Sequence, residues 1–277
     1  MINRAIFKKI WPAILLALLA ACGSAPPRQP AAIEQARKTE QAAYRAMRDG
    51  DLMRARELFR QSMLLQQSLD NLPASAMAAI NLSLVYHKQG DDGAALSLLD
   101  HILSDTAPVY PAELRGTAAF RKAVILVDAG KAAEAEVALQ QAAGECKQQC
   151  VYSAGMNNLH ARLALGKGDY AAALVLAKSV MNSSTEKEEL ANAQRSAAIA
   201  ETALGQHEAA LTHYLAALEL DKELGMSVRI VMDLQGVAWV MDKLGRKPEA
   251  EAYARRAAAV DEAAHLLPGR SVKSALH

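Results

Sequence analysis

Aromatic side chains are scarce in this sequence, making up 4% of its 277 residues. Long alternations of β-branched residues do not occur, which leaves a sheet without candidate strands. Neither sign of charge prevails, with 31 Lys and Arg against 30 Asp and Glu. A nucleic-acid-binding surface needs a basic excess, so that class is disfavoured. Catalytic signatures are missing too: there is no G-x-S-x-G, no P-loop and no D-x-D-x-D-G calcium loop. "HEAALTH" resembles a zinc-protease motif only superficially. His207 and His213 lie six residues apart, about 600° around a helix, and so share no face. "GKGDYA" fits a loose dinucleotide fingerprint but has no strand before it. Catalysis, a resident metal and a cofactor are therefore not expected.

The one long apolar run is Ile10 to Ala21, interrupted only by Pro12. It is shorter than the ~20 residues a bilayer-spanning helix requires. Arg4, Lys8 and Lys9 precede it, so it reads as the core of a signal peptide. It ends in Leu19-Ala20-Ala21-Cys22, which resembles the lipobox of bacterial lipoproteins. The resemblance implies residues 1–21 as a lipoprotein signal peptide. Cys22 then becomes the new N-terminus and carries acyl chains, palmitate among them. Gly23 stands where aspartate would mark inner-membrane retention, which points to the outer membrane with the body facing the periplasm. Residues 22–30, with "GSAPPRQP", read as a short tether. The signal segment holds three of the basic residues, which leaves 28 basic against 30 acidic in the remainder.

If Cys22 is lipidated, Cys146 and Cys150 remain as a pair in an oxidising compartment. "GECKQQC" sits between two expected helices, which favours a small structural disulfide. Free thiols or a redox site are the alternatives, although the spacing is one residue longer than C-x-x-C. Two cysteines without nearby histidines fall short of a zinc site.

The internal pattern is the strongest signal. Glycines recur at Gly50, Gly90, Gly130, Gly168, Gly205 and Gly245, at intervals of 37 to 40 residues. Five positions after each stands an alanine: Ala55, Ala95, Ala135, Ala173, Ala210 and Ala250. Seven positions before each is another small residue: Ala43, Ser83, Ala123, Ala161, Ala198 and Ala238. Nine positions after come Phe59, Leu99, Leu139, Ala177, Tyr214 and Ala254. A glycine that ends one helix in the left-handed conformation, followed by small residues where two helices cross, specifies a tight helical hairpin. A constant period of this size specifies stacked hairpins. About twelve helices are expected. Pro73 and Pro248 fall in first turns, and Thr185 with Glu188 offers a capping box.

"NLSLVYHKQGDDGAALSLL", "LGKGDYAAAL" and "ALGQHEAALTHYLAAL" resemble the tetratricopeptide repeat. The resemblance implies an all-α, right-handed superhelical solenoid of about six hairpins over residues 31–266, with residues 267–277 as a tail. The period exceeds the family's usual 34 residues. In that family the first helix of each unit lines an inner wall, at positions that fall 10, 6 and 3 residues before the glycine here. Transferred, the polar and aromatic wall candidates are Tyr44, His87, Asn158, Arg162, Arg195, Gln235 and Trp239. Ile80, Leu84, Phe120 and Val124 are either apolar wall or core. The family's two-carboxylate clamp for chain termini is not reproduced.

Such a wall suits a protein or peptide partner with apolar anchors and an acidic group. The leading expectation is a lipid-anchored, non-enzymatic periplasmic scaffold for envelope assembly. A pilotin-like chaperone that delivers one pilus or secretin client to the outer membrane is the second reading, and an enzyme activator the third.

Overall fold

A computed structural model describes residues 30–104, 110–146 and 150–266. The expected lipidation site Cys22, the signal segment, the tether and the 267–277 tail lie outside those residues. The described residues form twelve α-helices and no strand. In chain order they are α1 (Ala31–Arg48), α2 (Leu52–Ser68), α3 (Leu72–Gln89), α4 (Asp92–Leu103), α5 (Ala112–Asp128) and α6 (Ala132–Glu145). They continue as α7 (Ser153–Gly166), α8 (Tyr170–Ser183), α9 (Lys187–Ala203), α10 (His207–Leu224), α11 (Ser227–Lys243) and α12 (Lys247–Leu266). None of these helices is long and apolar enough to cross a membrane.

Each odd-numbered helix pairs with the next as a hairpin, and consecutive hairpins stack in order. The first helices of neighbouring hairpins also touch. This is an all-α helical repeat. The hairpin turns behave as their sequence demands. All six periodic glycines have positive φ, from 71° at Gly130 to 81° at Gly50, a region costly for any side chain with a Cβ. In three turns the residue after the glycine is aspartate. Asp51, Asp91 and Asp169 each accept a hydrogen bond from the backbone N–H three residues on. An N-cap of this kind stabilises a helix by about 1 kcal/mol. One cap differs from expectation. Thr185 with Glu188 forms no box, because the N-cap of α9 falls one residue later, at Glu186, which makes no side-chain cap. Ser184 Oγ instead accepts from the Glu186 N–H at 3.2 Å and turns the chain into the helix.

The six alanines five places after the glycines are all buried, at 0 to 8% exposure. Where a hairpin has a successor, the residues seven before and nine after are buried with them. In the sixth hairpin Ala238 is half-buried and Ala254 exposed, since nothing packs over them among the described residues.

Three of the glycines inside helices lie against aromatic side chains, and sequence periodicity does not explain them. Gly155 in α7 lies beneath Phe120, where an added Cβ would come within 2.6 Å of the ring Cζ. Gly116 in α5 likewise receives the Tyr152 hydroxyl, and Gly236 in α11 receives the Tyr214 ring. Phe120 and Tyr152 stack with centroids 5.3 Å apart, so hairpins three and four lock by two aromatics in two notches. The Cys146–Cys150 disulfide joins the end of α6 to the segment carrying Tyr152.

Candidate functional site

The wall candidates divide by register. Side chains six places before each glycine are the open ones: Tyr44, Arg162 and Trp239 are exposed, and Leu84, Val124 and Ile199 half-buried. Side chains three places before are half-buried in hairpins one to five and exposed at Asp242. The two registers thus offer side chains of mixed chemistry in all six hairpins.

At one end Tyr44 packs edge-on against Phe59, with ring centroids 5.2 Å apart. Its hydroxyl accepts a 2.7 Å hydrogen bond from Asn81 Nδ2 in the next hairpin. In the middle, His87 Nδ1 meets Asp92 Oδ1 at 2.7 Å while its Nε2 meets Asp128 Oδ2 at 3.0 Å. Two carboxylate partners require both ring nitrogens to donate, which is the imidazolium form. The Asp128 hydrogen bond leads in raising the His87 pKa above its ordinary value, Asp92 adds to it, and partial burial opposes them. The other Asp128 oxygen accepts from Arg162 Nη2 at 2.7 Å. Burial pushes the Asp128 carboxyl upward, but the His87 hydrogen bond and the Arg162 charge together hold it below its usual value. One carboxylate thus bridges cations from hairpins two and four. At the far end Trp239 is 46% exposed, with the His207 ring edge-on at 6.0 Å and Lys243 Nζ 4.9 Å from its centroid.

The position ten before the glycine departs from expectation. Asn158 is 3% exposed, and its Nδ2 donates to Glu189 Oε2 at 2.6 Å and to the Glu189 backbone oxygen at 3.0 Å. Arg195 is 7% exposed, and Ile80 2%. These residues face the first helix of the following hairpin and form the joint rather than the wall. Only Gln235 is exposed at this register, because no described hairpin follows it. Arg195 and Arg162 therefore do not form one cationic patch. Arg195 Nε donates to Asp233 Oδ1 at 2.7 Å, and its Nη2 to Asp233 Oδ2 at 3.1 Å and to Asp221 Oδ2. Both carboxylates are fully buried. Desolvation by burial drives the Asp233 carboxyl up to about 6, against the pull of Arg195. Two buried aspartates with one guanidinium were not foreseeable, since Asp221 and Asp233 occupy positions the repeat pattern leaves unspecified.

His213 reaches Gln194 through Nδ1 at 2.5 Å and lies 3.6 Å from Glu201, a pairing inside hairpin five. Among the described residues no group of three or more His, Cys, Asp or Glu is placed to hold a metal.

Residues 189–263 match the family model of the tetratricopeptide repeat. That match falls within hairpins five and six. Solved structures extend the likeness in fold to most of the chain. A Rap protein complexed with competence and sporulation factor superposes with a TM-score of 0.61 at 18% identity, over 83% of this chain and 67% of that one. Aspartyl phosphate phosphatase F from Bacillus subtilis gives 0.57 at 12%, over 88% and 78%. A tetratricopeptide repeat protein from Parabacteroides merdae gives 0.51 at 16%, over 80% and 78%. At these identities the likeness is one of fold alone. No curated protein matches the chain. Tetratricopeptide hairpins typically serve as non-enzymatic surfaces for protein or peptide partners.

Proposed function

We propose that the protein is a lipid-anchored scaffold, facing the periplasm from the outer membrane, that holds a protein or peptide partner in envelope assembly. The observation that carries this reading is the row of exposed and half-buried side chains that recurs at one register in all six hairpins. Tyr44, Leu84, Val124 and Trp239 offer apolar anchors, and the His87–Asp128–Arg162 bridge offers charge between them. Burying such a mixture favours an extended peptide or a helix more than a small molecule. The basic n-region, apolar run and Leu-Ala-Ala-Cys box support the anchor.

The test is capture from the organism's own envelope after mild crosslinking, using the full-length chain. Leu84→Glu with Arg162→Glu should remove at least nine-tenths of a specific partner while far-ultraviolet circular dichroism stays unchanged. Equal capture by the variant would mean the wall is not the binding surface. Cys22→Ser should leave the membrane fraction, and retention there would refute the anchor.

A further inference from the structure

The end of the stack carries a second surface, which meets the wall at Trp239. α11 and α12 enclose an open groove of about 610 Å³ between Gln235, Ala238 and Trp239 on one side and Glu251, Ala254 and Asp261 on the other. Beside it α11 presents Val228, Met232 and Trp239, which are 42%, 41% and 46% exposed. These three share one helix face at spacings of four and seven residues, continuous with the groove. An exposed apolar face of this kind marks a candidate contact surface.

The interior of the molecule shows what such a groove accepts. Hairpin one receives Leu82, Val85 and Tyr86 of α3 over Ala43, Ala55 and Phe59. Hairpin five receives Val237, Val240 and Met241 of α11 over Ala198, Ala210 and Tyr214. Both occupants are helices with apolar side chains at i, i+3 and i+4. In the sixth hairpin Ala254 replaces the Phe59 and Tyr214 of those joints, so the floor leaves room for a larger incoming side chain. The charged residues lining it are carboxylates. Glu251 is paired 3.6 Å from Arg255, and Asp261 3.5 Å from His265, both across exposed helical turns where such pairs exchange readily with solvent.

We infer that this groove docks an amphipathic α-helix of a partner protein, apolar at i, i+3 and i+4 and flanked by lysine or arginine. The helix extends the stack as a seventh first helix would, and its cations lie against Glu251 and Asp261. A second copy of the chain fits less well. At the register of Leu82, Val85 and Tyr86, and of Val237, Val240 and Met241, α1 has Ala42, Arg45 and Ala46, so a second copy would bring two small side chains and one exposed cation in place of the three apolar anchors.

The test uses the full chain and three labelled synthetic helices of about 18 residues. The first has leucine at i, i+3, i+4 and i+7 with flanking lysines, the second replaces those lysines by glutamate, and the third breaks the helix with a central proline. The lysine-flanked helix should bind at least tenfold tighter than either of the others. Ala254→Arg, on an exposed position that leaves the fold intact, should weaken it at least tenfold, and Trp239→Ala should weaken it severalfold. Leu84→Glu with Arg162→Glu should leave it unchanged, which separates this groove from the wall. The inference is overturned by equal binding of the lysine and glutamate helices, or by binding that ignores Ala254→Arg. It is also overturned if Ala254→Arg abolishes a concentration-dependent self-association, which would make a second copy the occupant. A tenfold gain in affinity on deleting residues 267–277 would overturn it in favour of the chain's own tail.

Discussion

The joint between hairpins two and three is built on an apolar cluster alone, whereas the joint between hairpins five and six adds buried ions to its apolar cluster. In the first, Ile80, Leu99, Ile102, Tyr110, Leu114 and Ala118 form one apolar cluster. In the second, Arg195 bridges the fully buried carboxylates of Asp221 and Asp233, and Tyr214 seats in the notch of Gly236. An apolar joint holds by area removed from water and tolerates exchange of similar shapes. An ionic joint in a dry setting holds only while every charge keeps its partner. The second joint is therefore the more specific in register and the more fragile to single changes.

The largest expected difference comes from removing the shared cation. Arg195→Met should cost about 3–5 kcal/mol at neutral pH, since it strands two buried carboxylates. Ile80→Val in the apolar joint should cost about 0.5–1.5 kcal/mol. Urea unfolding followed by circular dichroism would measure both, and equal losses would remove the distinction. Next in size is Gly236→Ala. Its methyl would fall inside the Tyr214 ring, and overpacking of this kind costs about 1–3 kcal/mol. A neutral result would mean that the ring swings away and that the notch does not set the register.

The subtlest difference is in pH. Asp233 has its folded pKa raised to about 6, above the ordinary 3.8. The folded state then binds the extra proton between those values, so its stabilising contribution is complete below about pH 4 and is lost as pH rises through 6. Asp233→Asn should flatten the fall in stability between pH 4 and 6, whereas Ile80→Val should leave that slope as in the parent. Identical slopes for Asp233→Asn and the parent would show that the dyad does not titrate in this range.

The hairpins were legible because their determinants are local. Gly50, Gly90, Gly130, Gly168, Gly205 and Gly245 announce left-handed turns, and Ala55 through Ala250 announce helix crossings, each within ten residues of chain. The wall was half legible. Tyr44, Arg162 and Trp239 are open as the repeat register predicts, while Asn158 and Arg195 are not. Which side of a helix meets the next hairpin depends on how far one unit is rotated against another, and units longer than 34 residues change that rotation. Gly116, Gly155 and Gly236 passed as ordinary helical residues because their aromatic partners are fixed by packing.

The sequence by itself determined the twelve helices, the six turns and the small residues that let each hairpin close, since these rest on backbone conformation and on neighbours one helical turn apart. Only the tertiary structure decided that Asp128 bridges His87 and Arg162, that Arg195 lies between two buried aspartates, and that the sixth hairpin keeps an open groove. The ionic contacts among these join residues 26 to 41 positions apart, and nothing in the local chain specifies the rotation that brings them together.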